Sequence, residues 1–339
     1  MLRILPFLFF LTCSLHAFSQ KIAPLFQDSS VLELELFTDF KELTRDVGDE
    51  RESHPAKICL KGSRDTFELK LKVRGNFRRK RHNCNFPPLR LDFKKDSMNG
   101  TIFEGINKMK LVTHCEQKSA RHHQIVLQEH ILYQAWEVLT PVHFKSRLAK
   151  ITYHNSAQED DIVERWGLLL EPVKNMATRC NGLELEPTGG IGKDATDRAG
   201  TELLYLFEYM VGNTDFSVIY QHNVKLIQPD SGGKPIPVPY DWDFCGWIGA
   251  PYAKPNPTLG IETVQQRKYR GFCWPDEEQL ATLQHIVSKK ADLLAIIERE
   301  PGLDERYRKR MIKYLEDFFE WAEKPKRVEA DFLRACRDL

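Results

Sequence analysis

Four oxygen-bearing side chains stand close together in the chain: Asp215, Asn223, Asp241 and Asp243, in the stretches GNTDFSVIYQHNVKLI (212–227) and PIPVPYDWDFCGWIG (235–249). Carboxylates and an amide oxygen are hard ligands that suit Mg²⁺ or Mn²⁺ rather than zinc. A carboxylate can also accept the proton of an attacking hydroxyl. Asp215 falls in a turn after a helix, where a side chain can reach a cleft. Asn223 opens one strand, and Asp241 closes the next. Asp243 lies two positions on, so an extended backbone points it to the same side as Asp241. Singly, each is also an ordinary turn or capping residue. As a set they end an apolar run, Val238 to Tyr240, which brings acids to the edge of a core.

The elements that must position them change character along the chain. VLELELF (31–37) alternates with a period of two. AKICLKG (56–62), TFELKLKVRG (66–75), PPLRLDF (87–93) and KMKLVTH (108–114) also read as strands. A helix is expected from Lys118 to Leu139, stopped by Pro141. Strands RLAKITYH (147–154) and WGLLLEPV (166–173) follow, joined by an acidic loop, NSAQEDDIVER, expected to be solvated. Asp194, Thr196 and Asp197 offer caps for a helix to Val211. A hairpin is expected at 224–228 and 235–240, around Asp230-Ser231-Gly232-Gly233. After Pro275 the pattern is helical: 276–298, 303–323 and 327–337. The expected fold class is α+β, with a β-rich N-terminal lobe (20–172) and a helical C-terminal lobe (173–339). Strands, one helix, two strands and then helices carrying a polar loop and a hairpin is the order of a two-lobed protein-kinase-like fold. Phosphoryl transfer in such a fold needs cations on the phosphates, a held divalent ion and a carboxylate to orient the acceptor hydroxyl.

The same stretches resemble the spore-coat protein H (CotH) kinase-like family. Asn213-Thr214-Asp215 is similar to its Asn-x-Asp turn, and Asn223 to its strand-opening Asn. Asp241-Trp242-Asp243 is similar to its acid pair before an aromatic-glycine stretch. Upstream, VRGNFRRKRHNCNFPPLRLDF resembles the family's Arg-Gly-Asn loop and following strand. WGLLLEPV resembles its hinge strand, which closes near a Glu, here Glu171. The resemblance spans roughly residues 66–250. It implies ATP and Mg²⁺ (or Mn²⁺) as ligands and phosphorylation of a protein Ser or Thr. Asp215 would be the catalytic base, Asn223 and Asp241 metal ligands, and Asp243 a further candidate ligand. Phe86 and Pro87 stand where the family tends to carry lysines. The phosphate-binding cation must then come from Arg74, Arg90 or Lys110, with Glu129 on the following helix as the acidic partner of Lys108 or Lys110. An arginine can hold phosphate in a bidentate way. Two alternatives stay open: a non-catalytic binding scaffold, and transfer of AMP from the same site.

Composition and processing signals bound the setting. With 42% hydrophobic and 29% charged residues the chain should be globular. MLRILPFLFFLTCSLHAFSQ reads as a secretory signal cut after Ser19, too short in its apolar run to span a membrane. Its removal takes Arg3 and no acid, leaving 48 residues of each sign. That balance argues against nucleic acid as a partner. The expected partner is a secreted or envelope protein, and the expected location is outside the cytoplasm. Cys13 is a poor lipidation site. Seven cysteines follow, and an oxidising compartment favours pairing among them, with the partners left open. The run Arg78-Arg79-Lys80-Arg81 reads as a solvated turn, with phosphate cover as the alternative. GGIGK (189–193) lacks the Ser or Thr and the spacing of a phosphate loop. His122, His123 and His130 make no metal-ligand pattern, and no Gly-x-Ser-x-Gly elbow is present.

Overall fold

The computed structural model describes residues 22–158, 161–186 and 189–338. The export segment expected over 1–19, with Cys13, lies outside them. In β1 (Leu32–Thr38) the alternating leucines Leu32, Leu34 and Leu36 are buried, while Glu33 and Glu35 turn outward. A short helix α1 (Phe40–Leu43) leads to β2 (His54–Leu60), β3 (Thr66–Val73), β4 (Leu89–Phe93) and β5 (Lys108–Val112), each antiparallel to the one before. Helix α2 (Ala120–Leu139) then crosses to the antiparallel pair β6 (Ser146–Asn155) and β7 (Ile162–Leu170).

β7 joins β5, and β6 runs parallel to β1 from Leu32↔Ala149 to Thr38↔Asn155. The seven strands therefore form a closed barrel in the order β1-β2-β3-β4-β5-β7-β6. The region is β-rich as expected, and its closure into a barrel is a feature that strand order alone does not show. The β1–β6 pairing that produces it is parallel, and a strand's alternation does not show which distant edge it will meet. The acidic stretch expected as a solvated loop is corrected. β7 starts at Ile162, because the ladder to β6 extends to His154↔Ile162, with Glu164 turned out toward Lys61 at 3.4 Å. Gly167 leaves room there for the Ile151 and Leu111 side chains, whose ends would lie 2.6 and 2.9 Å from a Cβ and would have to shift to admit one.

The rest is mainly helical. α3 (Val173–Arg179) and β8 (Gly182–Leu185) precede α4 (Arg198–Val211), whose N-cap Asp197 accepts from Gly200 N. The hairpin β9 (Val224–Pro229) and β10 (Ile236–Pro239) adds to β8 as a three-stranded sheet. α5 (Asp276–Ser288), α6 (Lys290–Arg299), α7 (Glu305–Ala322) and the single turn α8 (Pro325–Val328) finish the chain. The helix expected over 276–298 is thus broken at Lys289, and the one expected over 327–337 shrinks to a few turns ending at Leu333.

Buried apolar side chains form two clusters. One fills the barrel around Leu34, Leu71, Leu91 and Ile151. The other joins α2 to α4, β9, β10 and the terminal helices. α2 belongs to the second cluster and is buried on most of its surface, including Gln128, Glu129 and His130. A helix buried all round has no solvent stripe, so the apolar face evident in its sequence is only part of its packed surface.

Two disulfides form, Cys84–Cys115 and Cys273–Cys336, while Cys59, Cys180 and Cys245 are free. These crosslinks are compatible with an extracellular location. Among the described residues, no helix is long and apolar enough to cross a membrane.

Candidate functional site

α4 ends at Gly212, whose left-handed backbone (φ 66°) reverses the chain and whose missing Cβ leaves room for the Tyr314 hydroxyl. Asn213 then accepts from the Asp215 backbone N–H at 2.9 Å, fixing the turn. The Asp215 carboxylate is 44% exposed and meets His222 Nε2 at 3.1 Å. Asn223 Nδ2 donates to it at 3.2 Å and to the Asp215 carbonyl at 2.8 Å. With its nitrogen committed this way, the Asn223 amide oxygen is left for another partner. The hydrogen bond to Asp215 holds the His222 pKa above its ordinary value. Sequence reasoning misses His222. The only local signal is its place beside Asn223, and its partner is set by the Ser217↔His222 bridge that folds this loop back on itself.

The hairpin delivers the other two acids. Gln221, Asn223 and Asp241 all have left-handed backbone, with φ of 53°, 52° and 68°. Asn and Asp tolerate that region better than most residues, and such strain gathers where structure over-determines a site. The Asp241 N–H donates to the Tyr133 hydroxyl of α2 at 3.3 Å. Its carboxylate faces Arg74, which follows β3, at 3.9 Å. Asp243 is buried, and the Tyr252 hydroxyl donates to it at 3.1 Å. Burial, and then the Asp241 charge, push Asp243 up to about 7. Glu129 of α2 is buried close by, with Oε2 lacking a hydrogen-bond partner. Burial first, then Asp241 and Asp243, raise it well above the carboxylate range.

Arg74, Arg78, Asp215, Asn223, Asp241 and Asp243 line one cavity of about 320 Å³. Lys110 of β5 stands beside it, with Nζ 4.0 Å above the Tyr240 ring; burial and then the Arg74 charge bring it down to about 7. Lys110 feels the Glu129 charge without pairing directly with it. Lys108, the alternative partner, is exposed at the start of β5. Arg90 and Glu171, both expected at the site, are occupied elsewhere. Arg90 grips Asp92 at 2.6 and 2.7 Å. Glu171 is buried against Arg179 at 2.8 Å and accepts from the Lys145 N–H. The basic turn is also not simply solvated: Arg78 is buried in the cavity wall, and Arg79 binds the Val47 and Gly48 carbonyls and Asp49. A larger cavity, about 1420 Å³, lies on the barrel between β2 and β5. Its charged walls include Lys57, Glu68, Lys70 and Lys108, which are exposed strand side chains, and none of Asp215, Asp241, Asp243 and Glu129 lines it. The smaller cavity, with convergent and perturbed groups, is the better candidate.

The donor set fits a hard divalent ion. The buried carboxyls of Asp243 and Glu129, each raised first by burial and then by neighbouring acid charge, stand close to an amide oxygen and make a place where positive charge is favoured. Among the described residues, no three His, Cys, Asp or Glu side chains are placed to hold a metal. A cation here would therefore take the Asp pair and the Asn, and complete its shell with water or phosphate oxygens, as Mg²⁺ commonly does.

Behind the acids, Trp242 Nε1 donates to both oxygens of buried Glu208 at 3.2 and 3.1 Å, and burial pushes Glu208 up to about 8. An unfolded Glu would release its proton near 4.5. Between these values the folded chain binds more protons than the unfolded one, so stability falls as pH rises. The contribution is full below about 4.5 and lost through about 8. Each such group tilts stability by at most ~1.4 kcal/mol per pH unit. Melting temperatures of the metal-free protein should fall from pH 5 to 8, and Glu208→Gln, which keeps an acceptor for Trp242, should flatten the slope. An unchanged slope in the variant would count against a protonated Glu208.

No family model matches the chain, and no curated protein matches it. Among solved structures, that of the proinflammatory kinase CtkA from Helicobacter pylori is similar with a TM-score of 0.41 and 10% identity, over 73% of this chain and 92% of that one.

Proposed function

We propose that this cavity binds the phosphates of ATP with Mg²⁺ or Mn²⁺ and transfers the γ-phosphoryl group to a Ser or Thr hydroxyl of a secreted or envelope protein. One observation carries the reading. A half-exposed, hydrogen-bonded carboxylate, an amide oxygen and a mutually repelling acid pair share a cavity with Arg74 and Arg78, beside Lys110. Phosphoryl transfer asks for little more than this distribution of charge. In this reading the two-lobed division at residue 172 has the barrel side covering the nucleotide and the helical side carrying the chemistry.

Asp215 takes the proton of the acceptor hydroxyl, and its hydrogen bonds to His222 and Asn223 fix the direction in which it does so. Asn223, Asp241 and Asp243 would hold the cation, which when bound neutralises charge on the phosphates. Arg74 faces the phosphates, and Lys110 supplies a cation whose charged form an anionic ligand favours. Tyr133 holds the backbone at Asp241, and so relates α2 to the acids.

A second reading has its own support. Arg74 already faces Asp241, Lys110 is covered by Tyr240, and a cavity of about 320 Å³ is small for a nucleotide. A protein that binds phosphate compounds without transferring phosphate would keep such a site. Melting measurements with ATP or ADP and Mg²⁺ or Mn²⁺ test both. A ligand at about a hundred times its Kd stabilises by ~2.7 kcal/mol, a shift of several degrees. Label transferred from γ-labelled ATP to an acceptor protein marks a kinase, and label from the α-position marks AMP transfer. Binding without either marks the scaffold, and no shift with any nucleotide removes the proposal.

A further inference from the structure

Arg78 is a cation buried in the wall of this site with a donor left without a partner. Two other arginines of the basic turn are engaged: Arg79 on two backbone carbonyls and Asp49, and Arg81 on the Thr44 carbonyl. Arg74 faces Asp241 and Arg90 holds Asp92. Arg78 is 7% exposed and lines the cavity. Its Nη2 donates to the Thr113 carbonyl, while its Nε is buried without a hydrogen-bond partner. A guanidinium carries five N–H donors, and burying them unused is costly.

The loop is built to hold this side chain still. Cys84–Cys115 ties its far end to the segment after β5. Phe77 packs on Phe244 at 5.2 Å and on Tyr252 at 5.7 Å, across from the acids. The charges of Asp243, Glu129 and Asp241 act on the guanidinium, yet among the described residues no ion pair within 4 Å consumes it. A rigid planar fork with open donors, beside a cation-favouring acid pair, matches the oxygens of a metal-bound phosphoryl group.

We propose that Arg78 is an anion ligand of the cavity, binding a phosphoryl oxygen of the molecule held there. The inference deepens the phosphate-site reading above and rests on it for the class of ligand. Binding to the full chain would be measured calorimetrically for MgATP, for inorganic pyrophosphate with Mg²⁺, and for adenosine. Arg78→Met should weaken MgATP and pyrophosphate at least tenfold and leave adenosine unchanged. Mn²⁺ alone should bind as well or more tightly, because a positive charge beside its ligands is gone. Arg78→Lys keeps the charge and loses the fork; it should fold as the parent does and weaken pyrophosphate several-fold. It carries the test should the Met variant not fold. Affinities for both phosphate compounds within twofold of the parent, in whichever folded variant is measured, overturn the assignment. Arg78-dependent pyrophosphate binding without nucleotide binding would uphold it while the ATP reading falls. A parent chain that binds no phosphate compound overturns both.

Discussion

Asp215→Asn is expected to slow phosphoryl transfer by ~10²–10⁴-fold, the usual contribution of a positioned general base. Affinity for MgATP should stay within about threefold, the pattern of an interaction made only in the transition state. Asp215 is the most open of the acids in the cavity, with its side chain 44% exposed. It is the one placed to meet a hydroxyl arriving from solvent. Asn keeps the shape of the side chain and can still accept from Asn223 Nδ2, so the turn after α4 should survive. What it loses is the capacity to take a proton. Initial rates with γ-labelled ATP and an acceptor protein, paired with nucleotide-dependent melting shifts, separate the two effects. Transfer at the parent rate would remove Asp215 from the chemistry. Loss of nucleotide binding together with transfer would assign it to the ligand site instead.

How much of this is legible in the sequence depends on whether the signal is local. The strands declare themselves because Leu32, Leu34 and Leu36 alternate with Glu33 and Glu35, and burial follows that period. α4 declares itself through Asp197 at its start and Gly212 past its end. The acids are legible because they follow apolar runs, and strand ends deliver side chains to a rim. What fails is non-local. Nothing within β1 or β6 states that they will pair in parallel and close a barrel. Arg90 has the character of a phosphate ligand, but Asp92, two residues along the same strand face, takes its guanidinium. Glu171 has the place of a hinge acid, but α3, absent from the sequence pattern, brings Arg179 to it. Arg78 sits in a run of basic residues on a turn, and such runs are usually solvated. Its burial follows from a disulfide and an aromatic contact with Phe244, both formed by residues distant in the chain. Charged side chains are therefore the hardest to assign from sequence, since their partners decide their role.

Asp241→Asn should separate stability from function. The substitution keeps a residue that tolerates left-handed backbone, so the φ of 68° at this position is not the issue. The backbone N–H to Tyr133 is likewise untouched. One negative charge is removed from beside Asp243 and Glu129, each of which it pushes upward. With less repulsion among buried carboxylates the metal-free protein should melt at the same temperature or higher. The ion pair with Arg74, at 3.9 Å and partly exposed, contributes little in water, so removing it costs little. Cation binding should move the other way. A neutral amide in place of an anionic ligand should weaken Mn²⁺-dependent nucleotide binding by about 10–100-fold or more, the range seen when even outer partners of metal ligands are disturbed. Adenosine binding without metal should be unaffected. Calorimetric titrations with and without Mn²⁺, set beside melting curves of the metal-free proteins, read both signs. A variant that is less stable and still binds cation as the parent does would mean that Asp241 serves the fold through Arg74. The acid pair would then be a packing feature, and a cation site would have to be sought elsewhere.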